Sequence, residues 1–208
     1  MKCTNRGHGI DEVQNATQMI KDRGFSLGIQ TMIGLPGDTR LKAIATAQKV
    51  VEFSPDIVRI YPTLVIENTY LQKMYNDGKY QPLTVEEAVD ISAELLDIYE
   101  KHNINVIRIG LQPTDNISES GEVVAGPFHP AFRQLVESRL TLNRIRQYIV
   151  NHKLDKSQDI IIECNPKFIS NVIGQKRVNI YTLKNEFNFK NIRIMEKHNV
   201  EKFVIIGT

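Results

Sequence analysis

Ile29-Gln30-Thr31-Met32-Ile33-Gly34-Leu35-Pro36-Gly37-Asp38-Thr39 and Arg59-Ile60-Tyr61-Pro62-Thr63-Leu64-Val65-Ile66 are the two runs that decide the fold of this chain. Each reads as a buried strand ending in a loop rich in Gly or Pro. They lie about one βα unit apart. In a β/α barrel, ligands sit at the C-terminal strand ends, because the loops there vary on a rigid scaffold. Two such ends read as adjacent walls of one pocket.

Working outward, Val13, Ala16, Met19 and Ile20 give Asp11 to Arg23 helical spacing, with Gly24 as its stop. Phe25 to Ile33 reads as a strand. Asp38 or Thr39 caps a helix running to about Phe53, which Ser54-Pro55-Asp56 breaks. Ile57 to Tyr61 is the next strand, ended by Pro62, which has no N–H for a sheet ladder. Thr84-Val85-Glu86-Glu87 is a capping-box pattern opening a helix to about His102, and Asn105 to Leu111 is a third strand. Alternating helices and strands predict a parallel sheet. Gln112 to Pro130 is a long polar stretch, and loops of that length inside a compact domain are usually functional. Ala131 to Asn151 reads as a helix packed back on the barrel. Lys153 to Ser157 is the linker candidate. The expected domains are therefore 1–152 and a small module at 153–208.

The 208 residues contain 41% hydrophobic and 24% charged residues, ordinary for a globular protein. No apolar run approaches the ~20 residues that span a bilayer, and Met1 to Gly9 lacks a signal-peptide core, so no membrane partner and a cytoplasmic location are expected. Cys3 and Cys164 are too few for a Cys-rich metal site, and the five histidines lack ligand spacing, so no metal site is read. Residues 1–150 carry 16 Lys/Arg against 18 Asp/Glu, while residues 151–208 carry 10 against 6. That basic segment hints at an anionic partner.

Gly34-Leu35-Pro36-Gly37 permits a sharp turn at the strand end, without the spacing of a phosphate-binding loop. Gln30 is a polar residue on an apolar strand, which needs a partner in the protein or a ligand if buried. Arg6, in Thr4-Asn5-Arg6-Gly7-His8, alone would be a solvated arginine. Tyr61-Pro62 offers an open backbone beside a ring, suited to a flat group.

Together, Arg6-Gly7-His8, the run from Gly24-Phe25 to Gly37, and Tyr61 to Ile66 with Asn68-Thr69, Leu71, Gly78-Lys79-Tyr80 and Pro82-Leu83 resemble the radical S-adenosylmethionine core of the Elongator catalytic subunit family. Oxygen-independent coproporphyrinogen III oxidases are similar over a shorter stretch. The resemblance covers roughly residues 4–140. It implies the C-terminal half of a partial β/α barrel that binds S-adenosylmethionine. Arg6 would pair with the methionyl carboxylate, Gln30 would face the ribose, and Gly34, Tyr61 and Pro62 would border the cofactor. Many relatives carry an acid where Gln30 stands. The family's 4Fe–4S cluster is held by CxxxCxxC upstream of the matching region, so the cluster is expected only in a full-length protein. This chain would be an inactive portion of an iron–sulfur oxidoreductase. His129, in Gly126-Pro127-Phe128-His129-Pro130, is a candidate substrate contact or an ordinary loop hydrogen-bonder.

Asp159 to Cys164, a helix from Asn165-Pro166, the loop Gly174-Gln175-Lys176-Arg177, a helix from Val178, and strands at Ile192 to Met195 and Phe203 to Ile206 resemble a KH module. KH modules clamp single-stranded nucleic acid over a GXXG loop. Here Arg177 replaces the second glycine, and Lys176 and Arg177 would hold phosphate by charge. The resemblances imply an enzyme acting on RNA, with a tRNA-like partner for the basic module. Two alternatives are a nucleic-acid-binding module carrying an inactive barrel remnant and a coproporphyrinogen-oxidase-like oxidoreductase. A barrel missing its first strands would expose a sheet edge and invite self-association.

Overall fold

The computed structural model describes residues 7–111, 122–154 and 159–207, and the chain divides into two compact units between Arg133 and Gln134. Helix α1 (Ile10–Asp22) precedes strand β1 (Gly28–Ile33), helix α2 (Arg40–Glu52) and strand β2 (Ile57–Pro62). Thr39 caps α2 by accepting the Lys42 N–H. The short strand β3 (Val65–Ile66), helix α3 (Tyr70–Asn76), helix α4 (Val85–Lys101) and strand β4 (Asn105–Ile109) follow. The Thr84–Glu87 capping box opens α4. Strand β5 (Val123–Ala125) lies in the expected long loop, whose residues 112–121 are outside the described part.

β1, β2 and β4 form a parallel sheet in the order β1-β2-β4, with β1 at an edge. The expected barrel portion is thus a three-stranded open sheet among the described residues. Thr31, Ile33, Val58, Ile60, Val106 and Ile109 are buried on the side where α2 and α4 pack. Full burial of an aliphatic side chain such as Val58 or Ile60 contributes roughly 1.5–3 kcal/mol. The Asp56 carboxylate accepts the Leu27 N–H at 2.7 Å and fixes where the first two strands begin. Strand β1 starts at Gly28 rather than Phe25, whose ring stands in solvent.

Helix α5 (Phe132–Asn151) departs from its expected place. Its Leu142, Ile145 and Ile149 join the core of the second unit, so the helix from Gln134 onward is a layer of that unit. The sequence reading put the boundary after this helix, at 152/153. Its apolar stripe is what draws it to the second core.

In that unit, strand β6 (Ile160–Cys164) is central, flanked by β7 (Ile192–Glu196) and β8 (Phe203–Gly207) in the order β7-β6-β8. β7 runs parallel to β6 and β8 antiparallel, so the last two strands are not the hairpin their short connection suggests. A short 3-10 turn (Pro166–Phe168), helix α6 (Ile169–Ile173) and helix α7 (Val178–Phe187) complete it. Its core includes Ile160, Ile162, Cys164, Val172, Ile180 and Leu183.

Candidate functional site

The C-terminal ends of β1 and β2 are sewn together by one residue. Thr63 donates both its N–H (2.9 Å) and its hydroxyl (2.8 Å) to the Ile33 carbonyl. Beyond Ile33, Gly34 turns with φ +77°, and a Cβ there would lie 2.8 Å from Leu83 Cδ1. The Gly34 N–H donates to Asp38 Oδ2 at 2.9 Å, and its carbonyl accepts the Tyr80 hydroxyl at 2.6 Å. Gly34 is therefore fully committed to the turn. Burial, helped by the Asp38 charge, pushes the Tyr80 phenol up to about 12.

Pro62 ends β2 opposite Ile33, and Tyr61 is buried beside it. The next residues, Val65 and Ile66, pair antiparallel with Ala125 and Val123. This small ladder brings Gly126 against Thr63 and Leu64, where a Cβ would sit 3.0 Å from the Thr63 carbonyl oxygen. The Gly126-to-Pro130 loop is thereby laid over the end of β2. Pro62 and Leu64, Gly110 and Leu111 beyond β4, and Pro127 to His129 line one small pocket closed by Phe132. The His129 Nδ1 accepts the Ala131 N–H at 3.1 Å, which leaves Nε2 as the atom able to meet a ligand. The structure brings Pro62 and His129 together. The space is about 10 Å³, room for a single water, and far below the ~300 Å³ from which ligand pockets usually start.

Gln30 is exposed on β1, on the side of the sheet opposite α2 and α4, so the buried-polar argument does not apply to it. Its in-register neighbour on β2 is Arg59. Arg6 lies outside the described residues. Among the described residues no group of three His, Cys, Asp or Glu side chains is placed to hold a metal. Cys164 is buried in β6, and desolvation raises its thiol pKa. The chain's two cysteines, Cys3 and Cys164, are fewer than the three thiolates of a CxxxCxxC motif and do not fit a 4Fe–4S cluster.

In the second unit Gly174 is buried with φ +76°, and a Cβ there would meet the Asn179 amide at 2.9 Å. Asn179 is itself buried, and its Nδ2 donates to Ser138 O, Ser138 Oγ and Asn171 O. Gln175, Lys176 and Arg177 are exposed, and Lys176 and Arg177 both hold left-handed backbone (φ 52° and 63°). A left-handed residue with a Cβ costs ~1–2 kcal/mol, so the backbone keeps at 177 the conformation a glycine would take freely.

Sequence reasoning assigned no role to Thr63, Tyr80, Arg59 or Arg108. For Arg59 the signal was present: a charge between two apolar residues, in strict alternation.

Residues 55–141 match the Radical_SAM C-terminal domain. The chain is 36% identical over 107 residues to the tRNA uridine(34) acetyltransferase of Methanocaldococcus infernus, covering 49% of this chain and 20% of that protein. It is 32% identical over 96 residues to Elongator complex protein 3 of Homo sapiens, covering 45% of this chain and 18% of the relative. Among solved structures it is similar to the archaeal Methanocaldococcus infernus Elp3 with an N-terminal deletion. That likeness has 26% identity and a TM-score of 0.55, over 73% of this chain and 33% of the other. The chain spans about a fifth of the length of these curated relatives. No helix among the described residues is long and apolar enough to cross a membrane. Through this domain and these relatives, the chain is similar to radical SAM, Elongator-like proteins.

Proposed function

We propose that the first unit is the cofactor- and substrate-facing part of a radical S-adenosylmethionine enzyme that modifies RNA. The observation that carries this is one of coincidence. The family match over 55–141 spans β2, β4, β5 and the start of α5, the elements that build the rim around Pro62 and His129. S-adenosylmethionine, with its cluster, supplies radical chemistry in such enzymes. This chain's own residues would bind and orient: Gln30 the ribose, the Tyr61-Pro62 main chain the adenine, and Arg6 the carboxylate. Gly34 contributes by shaping the turn, since its N–H and carbonyl are already bonded. The two cysteines present here are too few to hold that cluster.

The RNA half of the reading is supported by relatives named for tRNA uridine 34. The second unit is proposed as a KH-like single-strand binder. Its strand-helix-loop-helix-strand order and the exposed Lys176–Arg177 pair, held left-handed, favour this. The same observation favours the alternative in which RNA binding is the chain's main activity. Nothing in the rim favours a porphyrinogen substrate.

Calorimetric titration of the 208-residue chain with S-adenosylmethionine, and anisotropy titration with a short single-stranded RNA, test the proposal. Binding of both is expected, with Gln30→Ala weakening the first and Lys176→Ala/Arg177→Ala the second. Absence of RNA binding at low salt would discard the RNA half, and absence of S-adenosylmethionine binding the enzyme half.

A further inference from the structure

The open face of the β1-β2-β4 sheet carries an arrangement that neither the rim nor the loop accounts for. Gln30, Arg59 and Arg108 occupy one row across the three strands, paired Gln30 with Arg59 and Arg59 with Arg108. All three side chains are exposed. Adjacent strands run ~4.8 Å apart, so two guanidinium groups leave the sheet side by side. Like charges placed directly opposite destabilise a strand pair. Neither guanidinium has a hydrogen bond or ion pair with another described residue; the Arg59 bond in the structure is made by its carbonyl, which accepts the Thr31 hydroxyl.

A bulge sets up this pairing. Val58 is in register with Val106, and the alternation from there would carry Arg108 to the helix side. The register shifts between Val58 and Arg59, so Ile107 is the surplus residue, and both Ile107 and Arg108 face outward while Ile109 returns to the core. The Arg133 guanidinium donates to the Val106 and Ile107 carbonyls (3.2 Å each), holding the bulge. Bulges beside functional sites re-aim side chains in this way.

We infer that Arg59 and Arg108 form a two-guanidinium floor that binds backbone phosphate of the RNA substrate, with Gln30 beside it. The planar fork of arginine matches phosphate oxygens bidentately, and an anion between the pair turns their repulsion into attraction. RNA is the occupant committed to because the charge is doubled and the relatives are named for tRNA. The inference rests on the RNA reading above.

The test is anisotropy titration of the 208-residue chain with a labelled twelve-residue oligouridylate over a range of salt, with S-adenosylmethionine binding followed separately. Arg59→Gln/Arg108→Gln is expected to weaken RNA at least tenfold. It should also lower the slope of log K against log salt by about 1.4, two phosphates at ~0.7 each on a single strand. Arg59→Lys/Arg108→Lys should keep the slope and lose several-fold in affinity, and circular dichroism should be unchanged in both. Should the glutamine pair not fold, Arg108→Gln alone is expected to lower the slope by about 0.7. RNA binding by the glutamine pair equal to wild type in affinity and slope overturns the floor while leaving the RNA reading intact. Loss of S-adenosylmethionine binding with RNA binding kept overturns it in favour of a carboxylate holder. A wild-type chain that binds no oligouridylate overturns floor and RNA reading together.

Discussion

The Tyr80 hydroxyl donates to the Gly34 carbonyl at 2.6 Å, tying the turn after β1 to a residue 46 positions downstream. Tyr80→Phe leaves that carbonyl without this donor, and a loss of about 1–3 kcal/mol is expected. The phenol also has a pH signature. Its folded pKa, about 12, lies above the ordinary ~10, so its contribution is complete below pH ~10. It declines as pH rises from ~10 toward 12, because the unfolded phenol ionises first. Tyr80→Phe should show a smaller fall in urea midpoint between pH 8 and pH 10.5 than the wild type. Tyr99, also pushed up to about 12 by burial, keeps part of the decline. An identical fall in both proteins would contradict the assignment.

Asn179 is the keystone of the second unit. One amide nitrogen serves three acceptors at 2.9–3.1 Å, two on Ser138 and one on Asn171. Asn179→Ala strands buried acceptors and opens space beside Gly174. A loss of about 2–3 kcal/mol is expected in chemical denaturation, larger than for a surface asparagine.

Arg177→Gly should separate stability from affinity. Removing the side chain relieves a left-handed residue, worth up to about 1 kcal/mol in stability after the entropy cost of glycine. Removing its charge should weaken RNA binding and flatten its salt dependence. The thermal midpoint and the anisotropy titration then move in opposite senses. A midpoint that falls would show that Arg177 is held by contacts rather than tolerated.

Anaerobic reconstitution with iron and sulfide is expected to leave the 208-residue chain without a cluster able to cleave S-adenosylmethionine. Its two cysteines are Cys3 and Cys164, and the second is buried with a raised thiol pKa. Cys164 should resist alkylation until the chain is denatured. Formation of 5′-deoxyadenosine by the reconstituted chain would contradict the expectation.

Much of the architecture was legible in the sequence where signals are local. Of the two caps offered, Asp38 or Thr39, Thr39 caps α2; Thr84 caps α4 as expected, and the break at Ser54-Pro55-Asp56 located the start of β2. What failed depends on partners. The stripe Leu142, Ile145 and Ile149 marks a buried helix face but does not say which core receives it. Two short strands separated by a turn look alike whether they pair with each other or, as β7 and β8 do, with opposite edges of β6. β3 and β5, of two and three residues, are too short to leave a pattern, yet they lay the His129 loop over Pro62. Of the site, the Tyr61-Pro62 end was readable from its proline. The Arg59–Arg108 row was not, because a one-residue bulge in β4 fixes it.

The position of β1 at the sheet's edge gives amide hydrogen exchange a specific pattern to report. In β2, between two partners, successive amides bond alternately to one neighbour and the other, and the whole strand should exchange slowly. In β1 only every second amide reaches β2, and those between should label quickly. Any strand that docks along β1, from more of the same protein or from a second copy, would slow this faster set without touching the slower one. The alternate amides of Gly28 to Ile33 are thus a built-in gauge of whether the sheet is still open.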